Sequence, residues 1–390
     1  MVSPAEPVFP APAPSPVLGP QELLSPRPAR FTFTPTITLF EEYNDNVLLD
    51  NSHRRSDWIT AIAPGFSFDL RSDTYRLAFA YDFVAELYSR ESKFDDAFSR
   101  QSGNLDARYR AGKQVTLTLA DTFINSLDTS AISTTGIATG RSRSWSNTVI
   151  PGAAWEIDPL WTARIFGTYT TLRYERPGLV DSDIYHLTPS IERRLTETVI
   201  GVLAYEFGDF DVQREPNVVT HTPRVGARYR LTRTLSGSLS AGPTFEVSAD
   251  GKDRIEAAVT AGLRQEFQLG FVGLDYDRGV GTAGGLGGTT ENDVIGARLG
   301  LTGLVKNLTV DFTANYGHVR SSLVRSSDRR IEVQTWTAGV RTVYKATTWM
   351  SLYFGYLFFE QLPGGTSVGV RADQNRVSFG VLFGYPLTSD

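Results

Sequence analysis

The chain has 390 residues, a formal net charge of −5, 41% hydrophobic residues, 12% aromatic residues and no cysteine. The lack of cysteine excludes disulfide bonds, thiolate metal sites, c-type haem attachment and cysteine nucleophiles. The small and dispersed charge gives no basic surface for a nucleic acid. No stretch of 18 apolar residues is present, which excludes a transmembrane helix.

Residues 1–29 are rich in proline and show no periodic pattern. We interpret them as a disordered or polyproline-like periplasmic tail, and favour a spacer over a tether to a partner. Residues 30–390 form the second predicted unit. The chain start lacks the apolar region of a signal peptide, so we expect the sequence to be that of a mature or shortened secreted protein.

From Arg30 onward, segments alternate apolar and polar residues, and residues 75–88 show the pattern best. One face carries Tyr75, Leu77, Phe79, Tyr81, Phe83, Ala85 and Leu87; the other carries Arg76, Ala78, Ala80, Asp82, Val84, Glu86 and Tyr88. A period of two predicts β-strands. The apolar face is long enough to cross a membrane, since a tilted spanning strand needs about 9–11 residues.

The connections between these segments alternate in length. Tight turns are predicted near Arg71–Thr74, Ala111–Lys113, Asp158–Pro159, Leu195–Thr198, Leu231–Thr234, Gln268–Gly270, Leu304–Asn307 and Lys345–Thr348. Longer connections are predicted near 46–56, 91–97, 126–141, 174–182, 212–218, 248–252, 279–290, 321–329 and 361–373. These connections join about 18 strands (16–18). The fold class is therefore predicted to be all-β: a transmembrane antiparallel up-and-down β-barrel with short periplasmic turns and longer extracellular loops. The alternative, a soluble β-sandwich, is disfavoured because its strands are usually shorter.

The polar face of such a barrel lines the lumen. The predicted lumen-lining residues are Arg76, Asp82, Glu86, Arg108, Arg110, Arg164, Arg224, Arg228, Glu256, Arg264, Asp275, Arg298, Asp311 and Arg341. The same pattern places Glu192, Glu206 and Asp277 inward. Each of these charges either pairs across strands to stiffen the wall or contacts a solute, and both alternatives stay open. Because neither sign dominates, we expect a neutral or weakly charged polymer rather than strong ion selectivity.

Two loops have alternative interpretations. Residues 126–141 are the best candidate for a constriction that folds into the lumen, although we favour a mobile surface loop. Glu41, Glu42, Asp45 and Asp50 form an acidic cluster at the first long loop. This cluster could bind calcium or bridge lipopolysaccharide through divalent ions, although we favour a solvated acidic loop.

No constellation for catalysis is found, so the chain is predicted not to be an enzyme and to need no cofactor or metal. The histidines His53, His186, His221 and His318 are far apart and show no metal-ligand spacing.

Short motifs carry a family resemblance. Phe40-Glu41-Glu42-Tyr43-Asn44-Asp45-Asn46-Val47, then Asp57-Trp58-Ile59, Ala63-Pro64-Gly65-Phe66 and Tyr75-Arg76-Leu77, together with the turns Arg194-Leu195-Thr196-Glu197-Thr198 and Arg230-Leu231-Thr232-Arg233-Thr234, resemble the outer-membrane β-barrel porin 2 family. Some members of that family accompany exopolysaccharide and exosortase (PEP-CTERM) systems. The resemblance covers nearly the whole chain after the tail, and it implies a bacterial outer-membrane location and a link to polysaccharide secretion.

Three functions follow as hypotheses. The preferred one is a porin-like channel that exports a secreted polysaccharide, with outer-membrane lipid and lipopolysaccharide, the polymer and periplasmic export proteins as partners. The second is a general or solute-specific diffusion porin. The third is a barrel that serves as a scaffold or sleeve around a partner protein. No nucleic-acid partner is expected.

Overall fold

The computed structural model describes residues 30–132, 135–251, 253–321, 331–364 and 370–389. The predicted tail of residues 1–29 lies outside the described residues. Eighteen strands of 13–16 residues and one short terminal strand account for nearly all of the described chain.

The strand bounds agree closely with the predicted turns. The strands are β1 Arg30–Asn44, β2 Asp57–Arg71, β3 Tyr75–Tyr88, β4 Asp96–Ala111, β5 Val115–Asp128, β6 Arg141–Glu156, β7 Trp161–Tyr174, β8 Ser182–Arg194, β9 Val199–Val212, β10 Val218–Arg230, β11 Leu235–Ser248, β12 Arg254–Phe267, β13 Gly270–Thr282, β14 Thr289–Thr302, β15 Leu308–Ser321, β16 Glu332–Lys345, β17 Met350–Pro363, β18 Ala372–Gly384 and β19 Leu387–Ser389. Single 3-10 turns lie at Asn51–His53, Ser92–Phe94 and Thr129–Ala131.

Each strand pairs antiparallel with the next, and the first strand closes the ring against the last. The closing register runs from Thr36 opposite Gly384 to Asn44 opposite Arg376. The short strand β19 continues the same edge, with Phe31–Phe33 of β1 opposite it. We count β18 and β19 as two parts of one wall strand, so the predicted closed barrel of eighteen antiparallel strands is confirmed.

Period-two patterning sets the two faces of this wall. Along β3, Tyr75 and Leu87 are among the exposed large apolar side chains, whereas Val84, Glu86 and Tyr88 are buried. Successive residues of a strand point to opposite faces, so the odd positions of β3 lie outside and the even positions face the lumen. The other strands show the same alternation between an outer and an inner face.

Hydroxyl side chains form several of the short turns. The Thr196 hydroxyl accepts hydrogen bonds from the backbone N–H groups of Thr198 and Val199, at 3.2 and 3.0 Å. Thr232 forms the same pair of bonds at the next short turn along the chain. This local bonding lets a hydroxyl residue fix a tight turn, and it explains the repeated Leu-Thr-x-Thr motif in the sequence.

The alternating connection lengths give the barrel two different ends. We call the end with connections such as residues 72–74 and 195–198 the short-turn end, and the opposite end the long-loop end. Within the described residues, no helix has both the length and the apolar character needed to cross a membrane.

Candidate functional site

In the connection between β5 and β6, the described residues 129–132 and 135–140 fold into the lumen at the long-loop end. We call this connection the lumen loop. Ile132 is 4% exposed, and Ile137 and Ala138 are 0% exposed. Burial of this kind is incompatible with a solvated surface loop, so the preference for a mobile surface loop was wrong and the constriction alternative is correct.

The first part of the lumen loop packs on a sector of the wall near its own strands. Ile132 forms an apolar cluster with Leu172 of β7, Ile184 of β8, Phe210 of β9 and Val218 of β10. All four partners are inward residues close to the long-loop ends of their strands. The loop therefore lies against the inner wall rather than above the barrel rim.

The second part of the loop reaches the opposite wall. Ile137 packs against Val319 of β15 and Val333 of β16, together with Ala283 and Ile331. In a ring of eighteen strands, β15 is the ninth after β6, which is half of the circumference. The lumen loop thus crosses the barrel from one side to the other.

Hydrogen bonds fix the far end of the loop. The Gln361 side chain of β17 accepts from the Ala138 N–H at 2.7 Å and donates to the Ala138 carbonyl at 2.8 Å. The Thr335 hydroxyl of β16 donates to the Thr135 carbonyl at 2.9 Å. Because these backbone groups are buried, the side chains replace the water that would otherwise satisfy them.

Two further loops pack against the lumen loop. Leu49 of the first long loop joins Ala138, Phe359 and Ala372 in an apolar cluster, and the Arg141 N–H donates to the Leu48 carbonyl at 3.1 Å. From the other side, Arg176 of the connection between β7 and β8 donates to the Thr139 carbonyl at 2.7 Å. The described part of the long-loop end is therefore packed by several loops together.

The lumen remains accessible to water toward the short-turn end. Arg110, Arg264 and Arg298 lie on inward positions there and are exposed. By contrast, inward residues near the long loops, such as Val319, Val333 and Gln361, are fully buried. The barrel is thus an open vestibule at one end and a packed constriction at the other.

A buried ionic network joins the closing strands beneath the loop. Arg376 of β18 donates two hydrogen bonds to Glu42 of β1, each of 3.0 Å. Arg100 of β4 lies 2.6 Å from Glu86 of β3 and 3.6 Å from Glu42. Arg376 also lies 3.7 Å from Asp128, the residue that leads into the lumen loop. The network therefore connects the wall to the base of the constriction.

The residues predicted to line the lumen lie on the inward parity of their strands, and several of them pair with other charges. Arg164 lies 3.0 Å from Glu192, and Arg228 is bonded to the same carboxylate. Asp82 accepts a hydrogen bond from Ser102, Glu256 pairs with Arg254, and Arg76 lies near Asp69. Arg264 contacts Glu266 and the Phe271 ring, and Asp311 lies opposite Arg341 on the neighbouring strand. Arg108 and Asp275 lie on inward positions of β4 and β13. Contact of any of them with a solute stays a prediction.

The four residues of the acidic cluster at the first long loop have different partners and do not form one group. Glu42 is a buried wall residue paired with Arg376 and Arg100, so its assignment to a solvated loop was wrong. Glu41 lies on the outer parity and accepts from Thr60. Asp45 is bonded to Arg54. Among the described residues, no group of three or more acidic or histidine side chains is arranged to hold a metal ion.

The remaining acid of that cluster is bound within its own turn. Hydrogen bonds from Ser52 and then His53 lower the pKa of Asp50 to about 2. Its neighbour Arg54 has a pKa raised above its ordinary value; burial opposes the rise, but hydrogen bonds to Asp373 and Asp45 outweigh it. At neutral pH both groups are charged: Asp50 accepts hydrogen bonds from Ser52 within its own turn, and Arg54 joins the first long loop to Asp373.

A cavity of about 430 Å³ opens on the inner wall of β8–β13. Six of its lining side chains carry hydroxyls: Thr188, Thr220, Thr222, Ser240, Thr244 and Thr260. Its ionisable lining residues are His186, Glu206, Arg224 and Asp277. Val280 lines the cavity and also packs against the Ile132 cluster, so the cavity lies next to that cluster.

Sequence reasoning missed the residues that hold the loop, above all Gln361 and Thr335. A signal was nevertheless present. The inward face becomes apolar near the long-loop ends, as at Phe210, Val319 and Val333. A water-filled lumen does not need such residues, so their position indicates a covering segment.

Comparison with models of protein families and with curated proteins gives no match. Solved structures that resemble the chain include OccAB4 of Acinetobacter baumannii, with 11% identity, a TM-score of 0.46 and coverage of 92% of this chain and 98% of that one. OpdQ of Pseudomonas aeruginosa has 11% identity, a TM-score of 0.45 and coverage of 92% and 98%. OccK2 (OpdF) of Pseudomonas aeruginosa in complex with glucuronate has 11% identity, a TM-score of 0.44 and coverage of 93% and 98%.

Superpositions this distant do not decide a function. Of the resemblance drawn from the sequence, the antiparallel barrel is confirmed. The association with exopolysaccharide systems stays a prediction.

Proposed function

We propose that this chain is a channel of the bacterial outer membrane that passes small polar solutes, with the lumen loop as its constriction. The observation that carries the proposal is the course of that loop across an otherwise water-accessible lumen. A closed ring satisfies every backbone group without an open edge, which is what a bilayer demands. Large apolar side chains such as Leu203, Ile255 and Phe312 cover its outer face.

A small solute suits this geometry better than a polymer. Barrels of 16–18 strands enclose an aqueous channel unless something fills it. Here the lumen is only partly filled, because the lumen loop occupies the long-loop end and leaves the rest of the lumen open. A polysaccharide would have to displace the whole loop, whereas a small solute requires only local movement. Solute diffusion is therefore preferred to the polysaccharide export expected from the sequence.

Planar-bilayer conductance and liposome swelling test the proposal. The chain is reconstituted as purified, alongside a variant in which residues 132–138 are replaced by a short Gly-Ser linker. We expect the wild type to conduct weakly and to admit only small sugars, and the variant to conduct more and admit larger ones. Absence of conductance in both proteins would refute the channel. Passage of a polysaccharide through the unmodified barrel would instead favour export.

A further inference from the structure

We infer that the cavity on β8–β13 is a binding site for a neutral, polyhydroxylated solute of mono- to disaccharide size. The inference rests on the proposed channel function, since the solute reaches the cavity through the lumen. The cavity volume of about 430 Å³ lies within the range of roughly 300–1,000 Å³ found for small-molecule sites.

The hydroxyl lining determines the chemistry of the ligand. A hydroxyl both donates and accepts hydrogen bonds, so an array of hydroxyls complements a ligand that carries the same groups. Thr222 and Thr244 are already in hydrogen-bond contact, at 2.9 Å. Such hydroxyls rotate easily to exchange a protein partner for one on a sugar.

The charges of the cavity compensate one another. Arg224 lies 3.3 Å from Glu206 and donates to the Thr260 hydroxyl at 3.2 Å. That hydroxyl in turn donates to Asp277 at 2.9 Å. A carboxylate ligand would find its only guanidinium already paired and two carboxylates nearby. A cationic ligand would compete with Arg224 for Glu206. A neutral polyol avoids both costs.

One buried donor requires a partner. The Nε atom of Arg224 is buried and has no hydrogen-bond acceptor among the described residues. Leaving a buried charged donor unsatisfied is costly. A sugar hydroxyl or ring oxygen in the cavity would satisfy this donor without adding a charge.

The location of the cavity couples binding to the constriction. His186 contacts Phe210 edge-on, with ring centroids 5.4 Å apart, and Phe210 belongs to the Ile132 cluster. A solute in the cavity therefore lies directly against the wall on which the lumen loop rests. We place this site immediately before the constriction on the path from the short-turn end.

The test is a titration of single barrels in planar bilayers. Glucose and maltose serve as neutral probes, glucuronate as the anionic probe and choline as the cationic probe. We expect the neutral sugars to interrupt the current saturably, at concentrations about ten-fold lower than either charged probe, a difference of about 1.4 kcal/mol. Stronger block by glucuronate or choline would overturn the inference.

Variants locate the site. Thr260→Val removes the link between Arg224 and Asp277 and should raise the half-blocking sugar concentration about three- to ten-fold, the effect of roughly one net hydrogen bond. Glu206→Gln provides a second, nearly isosteric test. The matched control is Thr116→Val on the inner parity of β5, away from the cavity, which should leave sugar block unchanged. Heat-modifiable gel mobility verifies that each variant forms the barrel.

The two proposals fail in different ways. Normal conductance with no saturable block by any sugar would refute the binding site and leave the channel intact. If neither the wild type nor the loop variant conducts, the channel is refuted. Calorimetric titration of the detergent-solubilised barrel with glucose and maltose then decides whether the site exists, since absence of binding there would refute it.

Discussion

Gln361 holds the lumen loop to the opposite wall through both polar groups of one backbone unit. Its amide donates to the carbonyls of Ala138 and Val370 and accepts from the Ala138 N–H. The side chain is fully buried, so water cannot replace these bonds if it is removed. At the scale of a residue, Gln361 is thus a principal anchor of the far end of the loop, beside the Thr335 hydroxyl.

We expect Gln361→Ala to loosen the lumen loop and raise single-channel conductance. The substitution leaves the buried Ala138 N–H and C=O without their partner, at a cost of about 1–3 kcal/mol for each group. Hydrogen exchange of residues 135–140 should accelerate in parallel. The matched control is Gln265→Ala, whose amide bonds only exposed groups near a short turn. Equal exchange and conductance in both variants would contradict the anchoring role.

At the scale of the element, the ionic network around Glu42 links β1, β3, β4 and β18 where the ring closes. Glu42 is paired with both Arg100 and Arg376. Its side chain is only 5% exposed, so these ion pairs are shielded from water. Buried ion pairs are seldom a large net gain over apolar packing, but breaking one is costly. The network therefore contributes more to the specificity of strand pairing than to the free energy of unfolding.

We expect Arg376→Met to lower the free energy of unfolding by about 3–5 kcal/mol, because it leaves a buried carboxylate short of its partner. The double variant Arg376→Met, Glu42→Met should recover part of this loss. Urea unfolding of the folded barrel in lipid or detergent micelles measures both. Losses that simply add in the double variant would show that the two side chains do not act as a pair.

At the scale of the whole molecule, closure relies on the pairing of the two terminal strands. Nine residue pairs join β1 to β18, and three more join β1 to β19. The short β19 follows a break at Tyr385–Pro386, where Pro386 has no N–H to donate to the ladder. The residues of β19 thus extend the pairing of β1 with β18, which already closes the ring.

Truncation after Gly384 should leave a closed barrel with a lower thermal midpoint. The nine residue pairs between β1 and β18 keep the ring closed. Phe31–Phe33 lose the strand β19 that pairs with them and therefore fray. Heat-modifiable gel mobility over a temperature series measures the midpoint, and Pro386→Ala is the control that keeps β19. An unchanged midpoint after truncation would mean that β19 contributes nothing to closure, and failure to close would mean that it is essential.

The strands and turns were predictable because their causes are local. Period-two alternation fixes which residues face inward, and turn residues such as Thr196 and Thr232 set where the chain reverses. The inward parity of Arg224, Glu206 and Asp277 follows from the same pattern. Their gathering into one cavity does not, because it depends on which strands become neighbours in the ring.

The sequence by itself determined a barrel of about 18 strands (16–18) with a polar inner face, since every strand carries its own alternation and the connections indicate the number of strands. Only the tertiary structure decided the state of the lumen. The sequence of residues 129–140 shows no apolar–polar alternation and favours a surface loop. Their apolar residues Ile132 and Ile137 become buried because Phe210, Val319 and Val333, from distant parts of the chain, meet around the lumen. A contact of this kind exists only once the ring has closed.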